Sequence, residues 1–296
     1  MILGAHESVA GGVSKAFARA EADRAASMQI FTRNARGWAS KPLGEEAAAF
    51  RAEAVRSGVQ CLAHGSYLCN LGAEPGVIRE KSVACLAEEL SRCAELGISQ
   101  LVIHPGANAE LDRGIRLIAE GCSEAMAAAK GSTVTILLES TAGQGVSIGH
   151  RFEHLAAILE KVKRPERFGV CLDTCHLYAA GYDLATRNGY RRTMAELDAT
   201  LGSTVIGALH LNDCKKPLGC RVDRHEDLGK GTLGLLPFEL LAKDPRFEKT
   251  VAVLETPDPA RYRQSIALLR RLGGQDAPGR PRARKSLKAQ PDIRQR

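Results

Sequence analysis

Apolar and polar positions alternate along the chain on two length scales. Eight short, nearly continuous apolar runs occur: Met1–His6, Met28–Thr32, Val59–His64, Gln100–His104, Thr133–Glu139, Phe168–Asp173, Val205–His210 and Thr250–Glu255. Between them lie longer stretches with helical spacing of apolar residues, such as Ile78–Leu96 and Arg113–Lys130. Short apolar strands of this kind suit a parallel sheet covered by helices, because both faces of every strand are then buried. Eight strand-helix units between Met1 and Leu272 predict one α/β domain, a (β/α)8 TIM barrel. A doubly wound open sheet fits less well: it more often has fewer strands and a Gly-rich first turn, and no G-x-G-x-x-G follows the first apolar run. The same absence argues against a nucleotide cofactor.

The ends of the runs carry more chemistry than their interiors. Seven of the eight end in an ionisable residue: His6, His64, His104, Glu139, Asp173, His210 and Glu255. In a parallel barrel the C-terminal strand ends share one rim, where active sites of this architecture are built. Strand alternation places Thr135 and Leu137 below Glu139, and Val251 and Val253 below Glu255, on the same inward face. The expectation is a dry interior capped by a ring of histidines and carboxylates.

Composition refines this picture in two ways. The nine cysteines are odd in number and fall mainly in apolar segments, and MILGAH lacks a charged region followed by a long apolar run, so a reducing, cytoplasmic setting is expected. No apolar stretch approaches membrane-spanning length, the longest being of the VTILL kind, so no membrane partner is expected. The net charge of +7 is unevenly placed: from Gly273 onward seven Lys or Arg less two Asp gives +5, leaving +2 for the rest. Residues 1–272 are thus read as the barrel, and 273–296 as a disordered basic tail, rich in Pro, Gly and Arg. The tail is read as a solvated terminus; the alternative is a sequence-independent electrostatic hold on nucleic acid.

The stretch Val170–His176, VCLDTCH, holds two thiols, a carboxylate and an imidazole. Three residues separate Cys171 from Cys175, which excludes a C-x-x-C redox pair and C-x-x-C-H haem attachment. A single strand-end His or Glu is ordinarily a hydrogen-bonded or ion-paired structural residue. Several carboxylates gathered at one rim, however, repel one another, and metal ions relieve that repulsion. Imidazole with carboxylate suits Zn, Mn or Fe. A further pair, Asp223 and His225 in RVDRH, points one way in an extended segment.

The candidate ligands are then five imidazoles (His64, His104, His176, His210, His225) and four carboxylates (Glu139, Asp173, Asp223, Glu255). Nine ligands exceed one zinc site of three or four protein ligands and suit three. Four carboxylates against three divalent ions leave +2, a surplus suited to hydroxide and a phosphate diester. His150 and His154, at i, i+4 of an expected helix, are read as surface or packing residues. Cys171, one barrel layer below Asp173, is read as packing, and Cys175 as a non-ligand in the turn.

With these residues placed, the chain resembles the endonuclease IV (deoxyribonuclease IV) family, of AP endonuclease 2 type within the xylose isomerase-like TIM barrels. GAHESVAGG (4–12), FTRNARGW (31–38), HGSYLCNLG (64–72), HPG (104–106), ESTAGQG (139–145), CLDTCHLYAAGYD (171–183), HLND (210–213), VDRHEDLGKG (222–231) and LET (254–256) are similar to that family's motifs, in its order. The resemblance implies a monomeric DNA-repair hydrolase with three zinc ions, one replaceable by Mn or Fe. It implies cutting of duplex DNA 5′ to an abasic site, leaving a 3′-hydroxyl and a 5′-deoxyribose phosphate, with trimming of 3′ ends besides. It assigns His64, His104 and Glu139 to one zinc, with Glu139 bridging to a second held by Asp173, His210 and Glu255, and His176, Asp223 and His225 to the third. Glu139 and Glu255 are the catalytic carboxylates it implies, Glu255 helping to orient or deprotonate the nucleophile. Asn34, Arg36, Tyr67 and Arg224 are the DNA contacts, with Arg36 and Tyr67 filling space left by the flipped-out abasic nucleotide. Trp38 suits loop packing nearly as well as DNA contact. Ala35, Gly37 and Gly65 are small where some members carry larger polar groups, which bears on how deeply the loops enter DNA.

Two other classes of function compete. Sugar isomerases and epimerases on the same barrel use one metal at a Glu, Asp, His, Glu set, which Glu139, Asp173, His210 and Glu255 would satisfy, but they do not need the other five ligands. A barrel that only binds DNA or stores metal needs basic groups rather than gathered carboxylates.

Overall fold

The structure, a computed structural model, describes residues 1–274, so the expected basic tail lies outside the described residues apart from Gly273 and Gly274. The eight strands are β1 (Ile2–His6), β2 (Ser27–Phe31), β3 (Gln60–His64), β4 (Gln100–Ile103), β5 (Thr135–Glu139), β6 (Phe168–Asp173), β7 (Ile206–His210) and β8 (Val251–Leu254). Each pairs in parallel with its sequence neighbours, and β8 closes on β1, forming the expected barrel.

The connections hold α1 (Ala16–Ala22), α2 (Glu45–Ser57), α3 (Val77–Leu96), α4 (Leu111–Ala128), α5 (Phe152–Leu159), α6 (Thr174–Ala180), α7 (Arg187–Thr200), α8 (Leu236–Lys243) and α9 (Tyr262–Leu272). Eight helix-like segments are expected from the sequence, and α6 is the addition. It starts where Asp173 accepts a hydrogen bond from the His176 amide and stops at left-handed Gly181, after seven residues, too short to develop a period. The longer helices follow their patterns. In α3 the buried face is Ser82, Cys85, Leu86, Glu89, Leu90, Cys93 and Leu96, at three- and four-residue spacing.

The core has two layers. Inside the barrel, Leu62, Val102, Leu137, Cys171, Ala208, Val251 and Val253 form a cluster of their own. Six of these seven lie two residues below His64, His104, Glu139, Asp173, His210 and Glu255, so strand alternation drives apolar side chains inward beneath the ionisable rim. Thr135, expected on this face, is only half-buried and, being polar, lies outside this apolar cluster. The remaining core lies between strands and helices. A register irregularity between Val170 and Cys171 brings Asp173 level with His210 on the neighbouring strand. No helix among the described residues is long and apolar enough to cross a membrane.

One close approach depends on glycine. A Cβ on Gly4 would lie 1.8 Å from the Ser27 carbonyl oxygen, backbone that has no room to move aside. Gly4→Ala should therefore part β1 from β2 and lower stability by about 3 kcal/mol, read as a shift of the urea midpoint without a change in slope.

Candidate metal centre

Around the upper rim the nine expected ligands converge. His64, His104 and Glu139 offer ligand atoms within 4.8 Å of one another; so do Glu139, Asp173, His210 and Glu255, and so do His176, Asp223 and His225. Glu139 belongs to two of these groups. Its Oε2 lies 3.0 Å from His64 Nε2 and 3.1 Å from His104 Nε2, while its Oε1 lies 3.0 Å from His210 Nδ1. Glu255 Oε2 is 3.2 Å from His210 Nδ1. Asp223 faces His176 Nε2 at 3.2 Å and His225 Nε2 at 3.3 Å.

The outer nitrogens explain how the rings are held. His64 Nδ1 lies 2.8 Å from the Gly65 carbonyl, His176 Nδ1 2.9 Å from the Ser140 carbonyl, and His225 Nδ1 3.2 Å from the Glu255 carbonyl. His210 Nε2 lies 2.9 Å from Gln29 Oε1. Each of these oxygens can only accept, so each ring donates outward and presents a lone pair inward, as metal-binding imidazoles do. One consequence is direct. His176 Nε2 and His225 Nε2 face each other at 3.4 Å, and with both outer nitrogens donating, both facing atoms are lone pairs unless a proton or a cation stands between them.

Neutral residues that carried no signal at the ends of the apolar runs complete the frame. Gln29, fully buried on β2, reaches His210 with its oxygen and Glu255 Oε1 with its nitrogen at 2.6 Å. Asn212 donates to Asp173 Oδ2 at 2.6 Å and accepts the Glu255 amide at 2.8 Å. His6 ends β1 at the rim but joins none of the three groups; its Nδ1 lies 3.0 Å from Glu255 Oε1. Asp213, the last residue of HLND, is fully buried and accepts the amides of Cys214, Gly229, Gly231, Leu233 and Gly234. A G-x-G-x-x-G spacing does occur here, Gly229–Gly234, and its role is to wrap this carboxylate. The two-residue strand His225–Glu226 pairs with Asp213–Cys214, so Asp213 secures the loop that bears Asp223 and His225. Asp213→Ala should loosen this loop and withdraw Asp223 and His225 from the rim, measured as a lower metal content of the purified protein.

Charge is balanced across the rim. Burial raises the Glu139 carboxyl, but His210 and His104 outweigh it and hold the group well below the usual carboxylate range. Glu255 behaves alike: burial raises it, but His210 and His6 outweigh that and hold it below the usual carboxylate range. Burial also raises Asp223, against which His176 brings it down to about 2. In return, burial depresses His176 while Asp173, Asp223 and Glu139 raise it well above its ordinary value. His210 is likewise lowered by burial and raised further by Cys171, Glu255 and Glu139. The rim thus calls for positive charge, which protons or divalent ions would supply.

The cysteines of VCLDTCH separate. Cys171 belongs to the inner apolar cluster, and burial pushes its thiol up to about 12. Cys175 sits in the first turn of α6 rather than in an open turn, because the Asp173 cap starts the helix directly after β6; its Sγ faces the Arg224 carbonyl at 3.5 Å and lies within ligand reach of Asp173 and His225. All nine cysteines are free. His150 precedes α5 rather than lying in it, because Arg151 is the N-cap; the buried His154 packs its ring 4.6 Å from that of His150.

Two loops stand beside the rim. Tyr67, 48% exposed, packs its ring 5.5 Å from that of His64 and 5.9 Å from that of His104. Its amide and the Ser66 hydroxyl both donate to the Ala35 carbonyl, tying this loop to the one bearing exposed Asn34 and Arg36. Trp38 is half-buried, with its carbonyl accepting from Arg33 and Lys81 over its ring, a packing role. Arg224 is exposed beside Asp223. A cavity of ≈ 390 Å³ opens between these loops and the rim, walled by Tyr67, Asn70, His104, Ala142, His176 and Asp223.

Fold and rim together define a class. The description of the xylose isomerase-like TIM barrel family matches residues 17–272. Within it, the chain is 48% identical over 277 residues to a protein named probable endonuclease 4 of Chloroflexus aurantiacus, covering 91% of this chain and 97% of that one. It is 49% identical over 259 residues to the protein of that name in Geobacter sulfurreducens, covering 86% and 88%. The crystal structure of endonuclease IV from Thermus thermophilus superposes with a TM-score of 0.83 at 38% identity, over 92% of this chain and 98% of that one. A D-tagatose 3-epimerase-like protein shares the fold at 16% identity, with a TM-score of 0.70. The chain belongs to the endonuclease IV family.

Proposed function

We propose that this protein is a cytoplasmic DNA-repair endonuclease, acting as a monomer, that hydrolyses the phosphodiester 5′ to abasic sites in duplex DNA and leaves a 3′-hydroxyl and a 5′-deoxyribose phosphate. Trimming of blocked 3′ ends follows from the same chemistry. The reading takes three zinc ions, one replaceable by Mn or Fe, held by the three groups of ligands, two of which share Glu139, with Cys175 left as a non-ligand. The observation that carries it is the pair of facing nitrogens of His176 and His225, 3.4 Å apart, within a rim where every carboxylate is already matched to an imidazole. A DNA scaffold has no use for such a rim, and a single-metal epimerase has no use for His176, Asp223 and His225.

When bound, the ions supply neutralisation of the phosphate and a lowered pKa of water near neutral pH. The chain does the rest. Glu139 holds two groups of ligands in one register through its two oxygens. Glu255 keeps Oε1 fixed by Gln29 and turns Oε2 toward the site, where it orients the attacking water and takes its proton. The cavity beside His104 and Asp223 takes the sugar-phosphate that has lost its base. Tyr67 and Arg36 fill the gap in the stack, with Asn34 and Arg224 on the backbone.

Incubating the purified protein with a duplex oligonucleotide carrying one abasic site, together with metal analysis, tests the reading. About three ions per chain at the rim and a nick with a 3′-hydroxyl are expected. One ion per chain, turnover of a ketose and intact abasic DNA would replace it with an epimerase.

A further inference from the structure

Among the described residues, one cluster of metal-binding side chains outside the rim stays unused. Cys69, in the loop after Tyr67, and Cys85 and Glu89, one turn apart on the buried face of α3, bring two sulfurs and a carboxylate oxygen within 4.8 Å of one another. Glu89 is 1% exposed; its Oε1 accepts the Ser66 amide at 2.9 Å, while its Oε2 has no partner. A buried carboxylate oxygen without a donor is costly. Beside it lies a void of ≈ 10 Å³, walled by Gly65, Ser66, Cys69, Glu89 and His104 among others, room for one water and nothing larger.

We propose that Cys69, Cys85 and Glu89 form a further zinc site, separate from the rim, with a water at the fourth corner. Zinc bonds of about 2.3 Å to sulfur and about 2.1 Å to oxygen set tetrahedral ligands roughly 3.5 Å apart, so the three atoms, within 4.8 Å of one another, draw in around the ion. Two thiolates select a soft ion over Mg or Ca. Charge agrees: burial, with Cys85 alongside, pushes Glu89 up to about 8, and a divalent ion beside it restores the carboxylate. The Arg33 guanidinium, paired with Glu88, acts on all three groups and favours their anionic forms. Such an ion fastens the loop from Ser66 to Leu71 to α3, and so sets the height of Tyr67 over the rim. It adds a structural role to a loop that the proposed function uses only for DNA.

The rim ligands are nitrogen and oxygen, so sulfur spectroscopy separates the two sites. Full-length protein, stripped by chelation and reloaded with cobalt(II), is expected to show a near-ultraviolet sulfur-to-cobalt charge-transfer band. The Cys69→Ser, Cys85→Ser double variant should lose that band and one equivalent of metal, while Cys175→Ser keeps both. Absence of the band in wild-type protein whose nine thiols all titrate would overturn the site. So would loss of the band in Cys175→Ser with retention in the double variant. Should the double variant fail to fold, alkylation of wild-type protein mapped by mass spectrometry decides: Cys69 and Cys85 are shielded in the zinc form and react after chelation. Equal labelling in both forms, or a Cys69–Cys85 disulfide in protein free of metal, refutes the proposal. Abasic-site nicking is scored separately, so its failure would bear on the rim and leave the thiolate band to be judged alone.

Discussion

Glu139→Ala is expected to lower kcat/KM on an abasic oligonucleotide by about a thousandfold or more, about 4 kcal/mol of lost transition-state stabilisation. Its two oxygens face different partners, His64 and His104 on one side and His210 on the other, so one substitution opens two ligand groups at once. The side chain is fully buried at the end of β5, and Ala cannot reach any of these nitrogens. The variant should also purify with less metal than wild type. Glu139→Gln keeps the shape but not the charge, and belongs between the two. Circular dichroism of the stripped proteins controls for folding, since the apolar cluster below Glu139 is untouched. Nicking within tenfold of wild type, with full metal content, would show that Glu139 does not bridge.

The barrel and most of the rim were legible because each strand obeys two constraints at once. An interior strand must be apolar on both faces, and a parallel barrel sends all its C-terminal ends to one side, so a charge ending an apolar run has only the rim to go to. Leu62 below His64, and Ala208 below His210, follow from that rule alone. What stayed hidden was neutral or short. Gln29 sits inside an apolar run without charge, and Asn212 follows a strand end; both matter through hydrogen bonds that only the folded register creates. The helix α6 has two turns between its caps, too few for a period, although its first turn delivers His176. The clash that forbids a side chain at Gly4 comes from Ser27, a residue on another strand. Cys69, Cys85 and Glu89 read as ordinary positions of a loop and an amphipathic helix until the loop folds back onto that helix.

These pairings also bear on what removal of the proposed ions does to the whole molecule. Prolonged chelation should abolish nicking, with recovery on adding zinc, and should lower the melting temperature by more than about ten degrees. The size follows from linkage. An ion held at a thousandfold over its dissociation constant adds roughly 4 kcal/mol to the folded state, and a domain of this size moves by about 2–4 °C per kcal/mol. The pH dependence has a definite sign. In the stripped protein His104, His176 and His210 titrate above their ordinary 6.5, so the stability they contribute is complete below 6.5 and is lost as pH rises through the folded values. Glu139, Glu255 and Asp223 titrate below their ordinary 4.5 and 3.8, so theirs is present above those values and is lost as pH falls. Stripped protein should accordingly melt highest between about pH 5 and 6.5 and weaken toward about pH 8. The loaded protein, whose carboxylates are matched by ions rather than protons, should hold its melting temperature over that upper range, and the gap between the two should widen. Differential scanning calorimetry of both forms across pH measures this. A stripped protein that melts within a degree or two of the loaded one throughout would mean that the rim balances its charges without metal.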